Sequence, residues 1–269
     1  MAEGSIRVGV GGWSYEPWRK TFYPRDVPKT RELQYASRQL TTIEINSTFY
    51  RLQKPATFAK WRDDTPEGFV FTVKGPRYVT VRSALGEAGP AIERFIESGV
   101  GELGPKLGPM SWQFAPTKRY DAEEIEAFIG LLPREIGGRR VRHALEARHP
   151  SFMCTAFLDQ LRRHEIASVF ADSDEYPSFA DATADFVYAR LMRADATLEA
   201  GHSPAALDAY AKLARTWQQG SEPKEIARVA APGKKTGARD VYLFFINGAK
   251  ERAPAAALAL ISRLSSKDR

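Results

Sequence analysis

Short apolar runs rich in β-branched and aromatic residues alternate along the chain with stretches whose apolar positions recur every three or four residues. The first pattern predicts buried strands, and the second predicts amphipathic helices. The predicted strands are Ile6–Gly12, Thr42–Ser47, Phe69–Lys74, Met110–Phe114, Arg142–Ala147, Ala167–Asp172, Phe186–Leu191 and Val241–Asn247. The predicted helices are Arg31–Leu40, Ala56–Asp63, Pro90–Glu97, Ala122–Leu132, Phe152–His164, Pro204–Gln218 and Pro254–Leu264.

This alternation favours parallel βα units, which either close into a barrel or spread into an open doubly wound sheet. Closure is the more economical arrangement for 269 residues. We therefore expect an α/β fold: a TIM-barrel-like (βα)8 single domain of parallel strands over residues 1–269. Asp121 followed by Glu124 predicts a capping box at the start of one helix. The irregular stretch Gln218–Asp240 is expected to form a solvated loop on the face opposite the active site.

Polar side chains stand at the carboxyl end of nearly every predicted strand, the place where barrel enzymes carry their chemistry. These residues are Glu44, Asn46, Lys74, Gln113, Glu146, Arg148, Asp172, Arg190 and Asn247. A side-chain period of two puts Glu44 and Asn46 on one face of their strand, and Glu146 and Arg148 on one face of theirs. We expect the whole set to surround one mouth, where three carboxylates meet three cations.

Glu44, Glu146 and Asp172 are the candidate catalytic groups, together with His149, which follows a polar strand end. The candidate substrate-binding residues are Trp13, Tyr15, Asn46, Tyr50, Lys74, Gln113, Arg148, Arg190 and Asn247. Each also has a structural interpretation. The carboxylates and cations could pair with one another. Asp172 and Asn247 could belong to turns, His149 could bond its own loop, and the aromatic residues could be core.

The composition adds a cationic bias to this picture. The chain carries 39 Lys and Arg against 33 Asp and Glu, a net charge of +6 and a pI near 9.4. That surplus would attract an anionic small molecule or nucleic acid without identifying one. The apolar fraction of 43% and the single Cys154 exclude a disordered chain and a disulfide-built scaffold. Because no segment resembles a membrane span or a signal peptide, we expect a cytoplasmic protein without a membrane partner.

No motif in the sequence requires a cofactor, since a Walker loop, HExxH, GxSxG and a CxxC pair are all absent. A divalent metal site built from Glu44, Glu146, Asp172 and His149 is conceivable, because Mg²⁺ and Mn²⁺ favour oxygen ligands. The neighbouring Lys and Arg residues weaken that hypothesis, because they already supply positive charge. Nothing in the sequence indicates a particular protein partner.

Several local motifs resemble one known family. They are GGWSY (Gly11–Tyr15), EINSTFYR (Glu44–Arg51), KLGP (Lys106–Pro109), ExRH (Glu146–His149), YAR (Tyr188–Arg190) and DVYLFFING (Asp240–Gly248). The chain resembles the domain of unknown function 72 family from about Val8 to Leu264. The resemblance implies a TIM-barrel-like fold and no established reaction; the likeness of such barrels to endonucleases and sugar isomerases is one of fold only. Where many members carry a Thr-His pair, this chain has Thr80 and Val81, so a role for that histidine does not carry over.

These observations favour an enzyme that acts on a phosphate-bearing substrate, a nucleotide or nucleic acid among the candidates, by general acid/base hydrolysis. A module that only binds nucleic acid or a phosphorylated ligand is one alternative, and a carbohydrate isomerase or hydrolase is another. Within the leading hypothesis, Arg148 keeps Glu146 ionised and suited to accept a proton. Glu44, whose neighbour on the strand face is the neutral Asn46, is expected to have a raised pKa and to act as the acid.

Overall fold

The computed structural model describes residues 4–231 and 236–265. Its strands are β1 (Ile6–Gly11), β2 (Thr42–Ile45), β3 (Val70–Lys74), β4 (Leu107–Gln113), β5 (Glu135–Ile136), β6 (Arg139–Arg140), β7 (His143–Glu146), β8 (Ala167–Asp172), β9 (Phe186–Leu191) and β10 (Asp240–Phe245). All except β5 and β6, which pair with each other, form a closed parallel barrel in the order β1-β10-β9-β8-β7-β4-β3-β2. The predicted barrel is confirmed, and the open-sheet alternative is wrong.

Helices separate consecutive barrel strands, except β8 and β9, as the apolar periodicity predicts. They are α1 (Glu32–Gln39), α2 (Ser47–Tyr50), α3 (Pro55–Asp64), α4 (Arg77–Thr80), α5 (Gly89–Glu97), α6 (Ala122–Gly130), α7 (Thr155–Arg163), α8 (Pro204–Gln218) and α9 (Ala253–Ser265). The short helices α2 and α4 were not predicted, because one helical turn carries no periodicity. The predicted helix Phe152–His164 is wrong at its start. Cys154 is extended there and separates α7 from a short turn of 3₁₀ helix at Pro150–Phe152.

Only one of the two hydrogen bonds of the predicted capping box forms. The Asp121 carboxylate accepts a hydrogen bond from the Glu124 backbone N–H at 2.9 Å and begins α6. The Glu124 side chain does not return this bond, because its Oε1 accepts from the backbone N–H of Leu85 at 2.9 Å. Glu124 therefore ties α6 to the short turn before α5.

The barrel strands divide their side chains between two packing layers. One layer fills the inside of the barrel and consists of Ala144, Ala167, Val169, Phe186, Tyr188, Tyr242, Phe244 and Ile246. The other lies between the barrel and the helices, where Trp112 of β4 contacts Phe95 of α5 and Phe128 of α6 at ring distances of 6.1 and 5.9 Å. Because both faces are covered, a strand such as β8 is buried at every position.

The predicted loop Gln218–Asp240 lies partly outside the described residues, since positions 232–235 belong to neither described range. Its described part is anchored rather than merely solvated. The Asp181 carboxylate accepts hydrogen bonds from the backbone N–H groups of Val229 and Ala230 at 2.8 and 3.0 Å, and Arg239 is buried. None of the helices within residues 4–231 and 236–265 is both long and apolar enough to span a membrane.

Gly9 lies at a close approach of β1 and β2, and a substitution there tests this contact. A Cβ at this position would lie 1.9 Å from the Thr42 carbonyl oxygen, and both backbones are fixed by the strand ladder. We expect Gly9→Ala to destabilise the fold by about 3 kcal/mol, the upper range for overpacking. Thermal unfolding followed by circular dichroism should show a Tm lower by roughly 6–12 °C.

Gly130 provides the matched control, because a Cβ at this last position of α6 meets no atom within 4 Å. Gly130→Ala is expected to leave stability within about 1 kcal/mol of wild type. Equal Tm values for the two variants would contradict the close approach of β1 and β2.

Candidate functional site

Five polar side chains converge inside the barrel at the carboxyl ends of their strands. They are Glu44 of β2, Lys74 of β3, Gln113 of β4, Glu146 of β7 and Arg190 of β9. Glu44, Glu146 and Arg190, which lie on strands that are not neighbours in the barrel, have at most 3% of their surface exposed. Such burial of charge is costly unless each group finds a partner of opposite sign.

Arg190 is the partner of both carboxylates. Its Nη1 donates to Glu146 Oε2 at 2.6 Å, and its Nη2 donates to Glu44 Oε1 at 3.1 Å. One guanidinium therefore spans the inside of the barrel between β2 and β7, using the fork geometry that favours Arg over Lys at such a position. Glu44 has no cationic neighbour on its own strand, and Arg190 supplies one from 146 residues further along the chain.

The remaining carboxylate oxygens also have donors. Tyr188, two residues before Arg190 on the same inner face, donates its hydroxyl to Glu44 Oε2 at 2.5 Å and lies 2.9 Å from the Thr72 hydroxyl. Arg148 Nε donates to Glu146 Oε1 at 2.7 Å. All four oxygens of Glu44 and Glu146 thus accept a hydrogen bond within the protein.

These contacts set the protonation of the buried groups. Burial opposes the ionised form of Glu146, but the charges of Arg190, Arg148 and Lys74 outweigh it and hold the pKa of Glu146 below its usual range. Burial, and then the Glu44 charge, raise the pKa of Tyr188 well above its usual value, so its hydroxyl remains a donor. The expectation that Arg148 keeps Glu146 ionised agrees with this geometry.

Lys74 differs from Arg148 and Arg190 because it has no carboxylate partner. Among the described residues no carboxylate oxygen forms an ion pair with it; Nζ donates to Gln113 Oε1 at 2.6 Å and lies 4.0 Å from the centre of the Phe49 ring. Burial, and then the neighbouring charge of Arg190, lower the pKa of Lys74 from 10.5 to about 7, although Glu44 and Glu146 oppose the shift. This amine is the group in the mouth best placed to exchange a proton near neutral pH.

The short helix α2 fixes Phe49 over Lys74. The Thr48 hydroxyl lies 2.7 Å from the backbone oxygen of Lys74 and 3.0 Å from that of Ile45. These contacts join the end of β2, helix α2 and the end of β3. The position of the Phe49 ring is therefore tied to the strand that carries the amine.

Above this network lies an open cavity of about 280 Å³, which we call the cationic cavity. Its lining includes Lys74, Arg148, Arg190 and Lys250, together with Gln113, Asn46, Asn247, Phe49 and Tyr50. Lys250 approaches from the turn after β10, with Nζ 4.6 Å from the Tyr15 ring, and its backbone oxygen accepts from Trp18 Nε1 at 2.9 Å. Four cationic side chains thus line this cavity, and neither Glu44 nor Glu146 is among its lining residues.

An adjoining cavity of about 350 Å³, the aromatic cavity, is lined by Trp13, Trp61 and Tyr50. Gly11, Asn46, Tyr50 and Lys250 line both cavities. Gly11 lets Asn46 lie close to β1, because a Cβ there would come within 2.5 Å of Asn46 Nδ2. Of the predicted substrate-binding residues, all except Tyr15 line one of these two cavities; Tyr15 packs against Trp18 at 5.6 Å and beneath Lys250.

Asp172 does not lie in the mouth as predicted. The inner face of β8 carries Ala167 and Val169, so Asp172 projects outwards, where it accepts from the Tyr210 hydroxyl of α8 and pairs with Arg193 at 3.1 Å. The sequence could not reveal this orientation, because the strand is buried on both faces.

His149 likewise stays outside both cavities. Its Nδ1 accepts from the backbone N–H of Ser151 at 3.1 Å and lies 2.8 Å from the Ser151 hydroxyl, at the start of the Pro150–Phe152 turn. The metal site proposed from Glu44, Glu146, Asp172 and His149 is therefore not assembled. Within residues 4–231 and 236–265 no group of three or more His, Cys, Asp and Glu side chains could hold a metal ion.

Sequence reasoning missed Tyr188, Phe49 and Lys250. Tyr188 stands two residues before Arg190, so the strand period alone would have placed it on the inner face. Phe49 belongs to a single helical turn, and Lys250 follows the predicted eighth strand in a turn. No periodic pattern marks either position.

Comparison with known proteins identifies the family. Residues 7–269 match the family model described as "Protein of unknown function DUF72", and the chain belongs to this family. The UPF0759 protein YecE of Escherichia coli K12 is 27% identical over 150 residues, 55% of this chain and 50% of that protein. The UPF0759 protein YunF of Bacillus subtilis 168 is 26% identical over 160 residues, 58% of this chain and 55% of that protein. The chain thus spans about half the length of these curated relatives.

Solved structures of the same family share the fold. A DUF72 family protein from Thermotoga maritima superposes with a TM-score of 0.73 and 23% identity, covering 97% of this chain and 100% of that one. Another from Enterococcus faecalis V583 gives a TM-score of 0.69 and 18% identity, covering 98% and 97%. At this level of identity the similarity shows the architecture and nothing about the reaction.

Arg190→Met tests the bridge between the two buried carboxylates. Without the guanidinium, two carboxylates remain buried together, and we expect a loss of about 3–5 kcal/mol in unfolding free energy at neutral pH. In the wild type the lowered pKa of Glu146 means that its stabilisation is present above the carboxyl pKa of the unfolded chain and is lost as pH falls through the folded value. In the variant the carboxyl pKa is raised, so stability is lost as pH rises instead.

The difference between the two proteins should therefore be largest at neutral pH and narrow below about pH 5 in urea titrations. Arg140→Met is the control, because this exposed residue pairs with the exposed Glu165, and its loss should cost about 1 kcal/mol or less. A pH-independent difference at Arg190 would mean that its carboxylate contacts contribute nothing specific.

Proposed function

We propose that this member of the DUF72 family is an enzyme that binds a phosphate-bearing substrate in the cationic cavity and transfers protons through Lys74. The observation that carries this proposal is the surplus of positive charge above carboxylates that are already paired. Lys74, Arg148 and Lys250 line the open cavity, whereas Glu44 and Glu146 are held by Arg190 beneath it. A concave site of this kind attracts anions and orients their oxygens.

Each cation retains capacity for a ligand. Among the described residues, Arg148 uses only its Nε towards Glu146, and the Lys250 ammonium has ring contacts but no hydrogen bond. Both can therefore donate to phosphate oxygens without breaking an existing bond. Lys74, with one donor directed at Gln113, completes the third side of the site.

General acid/base hydrolysis of a phosphoester is the reaction we assign to this arrangement. The carboxylates were the first candidates for proton transfer, but every oxygen of Glu44 and Glu146 already accepts a hydrogen bond. Lys74 is better suited, because its pKa of about 7 lies close to a neutral working pH. The carboxylates then act as positioning residues that fix Arg190 and Arg148.

A module that binds a phosphorylated ligand or nucleic acid without turnover is the second candidate. The full pairing of the carboxylates favours it over any mechanism in which a free carboxylate reacts. A carbohydrate isomerase or hydrolase has less support, because both carboxylates hold one guanidinium and neither is free to act on a hydroxyl group.

Sulfate binding measured against pH tests the anion site. Sulfate keeps its charge over the neutral range, so a change in affinity reports the protein. We expect affinity to fall as pH rises from about 6 to about 8.5, because Lys74 loses its proton in this range. Lys74→Met should weaken binding about tenfold near pH 6 and remove the dependence on pH.

Lys60→Met is the matched control, since Lys60 is an exposed lysine paired with Asp64 on the outer surface of α3. It should bind sulfate as the wild type does. A wild-type protein that fails to bind sulfate, or binds it equally well in Lys74→Met, would overturn the assignment of the anion site.

Turnover of p-nitrophenyl phosphate then separates the enzyme from the binding module. An enzyme of the proposed kind loses kcat in Lys74→Met and shows a raised KM in Arg148→Met. Sulfate binding without turnover of any phosphoester, combined with nucleic-acid affinity that falls steeply with salt, would favour the module. Glu44→Gln or Glu146→Gln with full turnover would restrict those residues to a structural role.

A further inference from the structure

The aromatic cavity next to the anion site is the feature that the proposed function leaves unused. It has a volume of about 350 Å³ and shares four lining residues with the cationic cavity of about 280 Å³. A ligand site typically measures roughly 300–1,000 Å³, so the cationic cavity alone lies just below this range and the aromatic cavity near its lower end, whereas the pair falls well within it. The two adjoining cavities therefore have the size for one ligand with two chemically different halves.

Three aromatic side chains line the aromatic cavity. Trp13 and Trp61 meet edge to face, with ring centroids 5.0 Å apart, and Trp61 is braced from behind by Phe58 of the same helix at 5.3 Å. Tyr50 stands at the junction of the two cavities with 73% of its surface exposed. Exposure of so large a ring is unfavourable in water, and faces of this kind bind flat rings by stacking.

Two polar atoms in the same wall lack partners. Asn46 Oδ1 and Ser47 Oγ are buried, and neither forms a hydrogen bond within the described part of the chain. A buried acceptor without a donor costs about 1–3 kcal/mol, so such atoms usually await a ligand or an ordered water. Both residues line the aromatic cavity, and Asn46 also lines the cationic one. Hydroxyl groups between a phosphate and a ring would lie beside these two residues.

We propose that the two cavities together accept a nucleoside monophosphate, with the phosphate in the cationic cavity and the base against Trp61, Trp13 and Tyr50. The ribose hydroxyls then lie at the junction, beside Asn46 and Ser47. This inference rests on the proposed function for the position of the phosphate. It adds the class of the esterified alcohol, a nucleoside, whose flat base matches aromatic walls better than a sugar ring alone.

Binding of adenosine monophosphate, ribose phosphate, adenosine and sulfate to the same set of variants tests this assignment. Stacking on an aromatic side chain contributes about 1–3 kcal/mol, which corresponds to roughly a 5- to 150-fold change in affinity. We expect Tyr50→Leu and Trp61→Leu to weaken the binding of adenosine monophosphate by a factor in this range. Their affinity for sulfate should remain within about twofold of wild type. The conservative variants Tyr50→Phe and Trp61→Phe should retain most of the affinity, because they keep a ring.

The exposed position of Tyr50 keeps the test independent of folding, since 73% of its surface is exposed and its ring contact is with Phe49 of the same short helix. If Trp61→Leu unfolds, Tyr50→Leu alone decides. Equal losses of sulfate and adenosine monophosphate affinity in Tyr50→Leu would overturn the proposal, because the ring would then act on the phosphate site. Ribose phosphate that binds as tightly as adenosine monophosphate and responds equally to Tyr50→Leu would also overturn it, because the pocket would then hold the sugar.

Failure of this inference and failure of the proposed function give different results. If sulfate binds in the Lys74-dependent manner but adenosine monophosphate binds no more tightly than ribose phosphate, the anion site stands and the nucleoside assignment fails. If sulfate does not bind while adenosine binds in a Tyr50-dependent manner, the aromatic cavity is confirmed as a site for the base. The phosphate site is then wrong, and the assignment of a nucleoside monophosphate is wrong with it.

Discussion

The structure of the mouth depends on one guanidinium held between two buried carboxylates. Arg190 contacts Glu146 at 2.6 Å and Glu44 at 3.1 Å where almost no solvent reaches any of the three groups. Two carboxylates in such surroundings could not both remain charged without it. Its presence fixes the distance between β2 and β7 across the barrel. With Arg148 and Tyr188 it also leaves both acids fully bonded, which is why we propose Lys74 for proton transfer.

The pairing of Arg190 with both carboxylates also determines the surroundings of Lys74. Because Arg190 occupies both carboxylates, the lysine has only the neutral Gln113 oxygen and the Phe49 ring as partners. Burial, and then the charge of Arg190, lower the pKa of Lys74 towards neutrality. The ion-paired network and the unpaired amine are therefore two results of one distribution of charge, in which Arg190 and Arg148 form the ion pairs with the two carboxylates and Lys74 forms none.

The sequence was sufficient for the fold and for most of the residues in the mouth. The alternation of strand and helix patterns predicts the number of barrel strands. The rule that barrel enzymes carry their functional groups at the carboxyl ends of strands predicts the polar residues of the mouth, which are Glu44, Lys74, Gln113, Glu146 and Arg190. Asp172 satisfied the same rule but projects outwards, because a strand buried on both faces gives no hydrophobic alternation from which to read its orientation. The partner of Glu44 was equally out of reach, since it comes from a strand that is distant in sequence and only the closed barrel brings the two together.

The contacts of Thr48 have a consequence for how specificity can change in this fold. Asn46, Phe49 and Tyr50 belong to the continuous segment of residues 46–50. The hydroxyl of Thr48 links this segment to the backbone oxygens of Ile45 and Lys74. Phe49 covers Lys74, while Asn46 and Tyr50 border both cavities. A single stretch of five residues thus borders both cavities and covers the amine at once. Under the proposed function, insertions here would alter ligand choice and reactivity together, whereas substitutions of Trp13 or Trp61 would alter ligand choice alone.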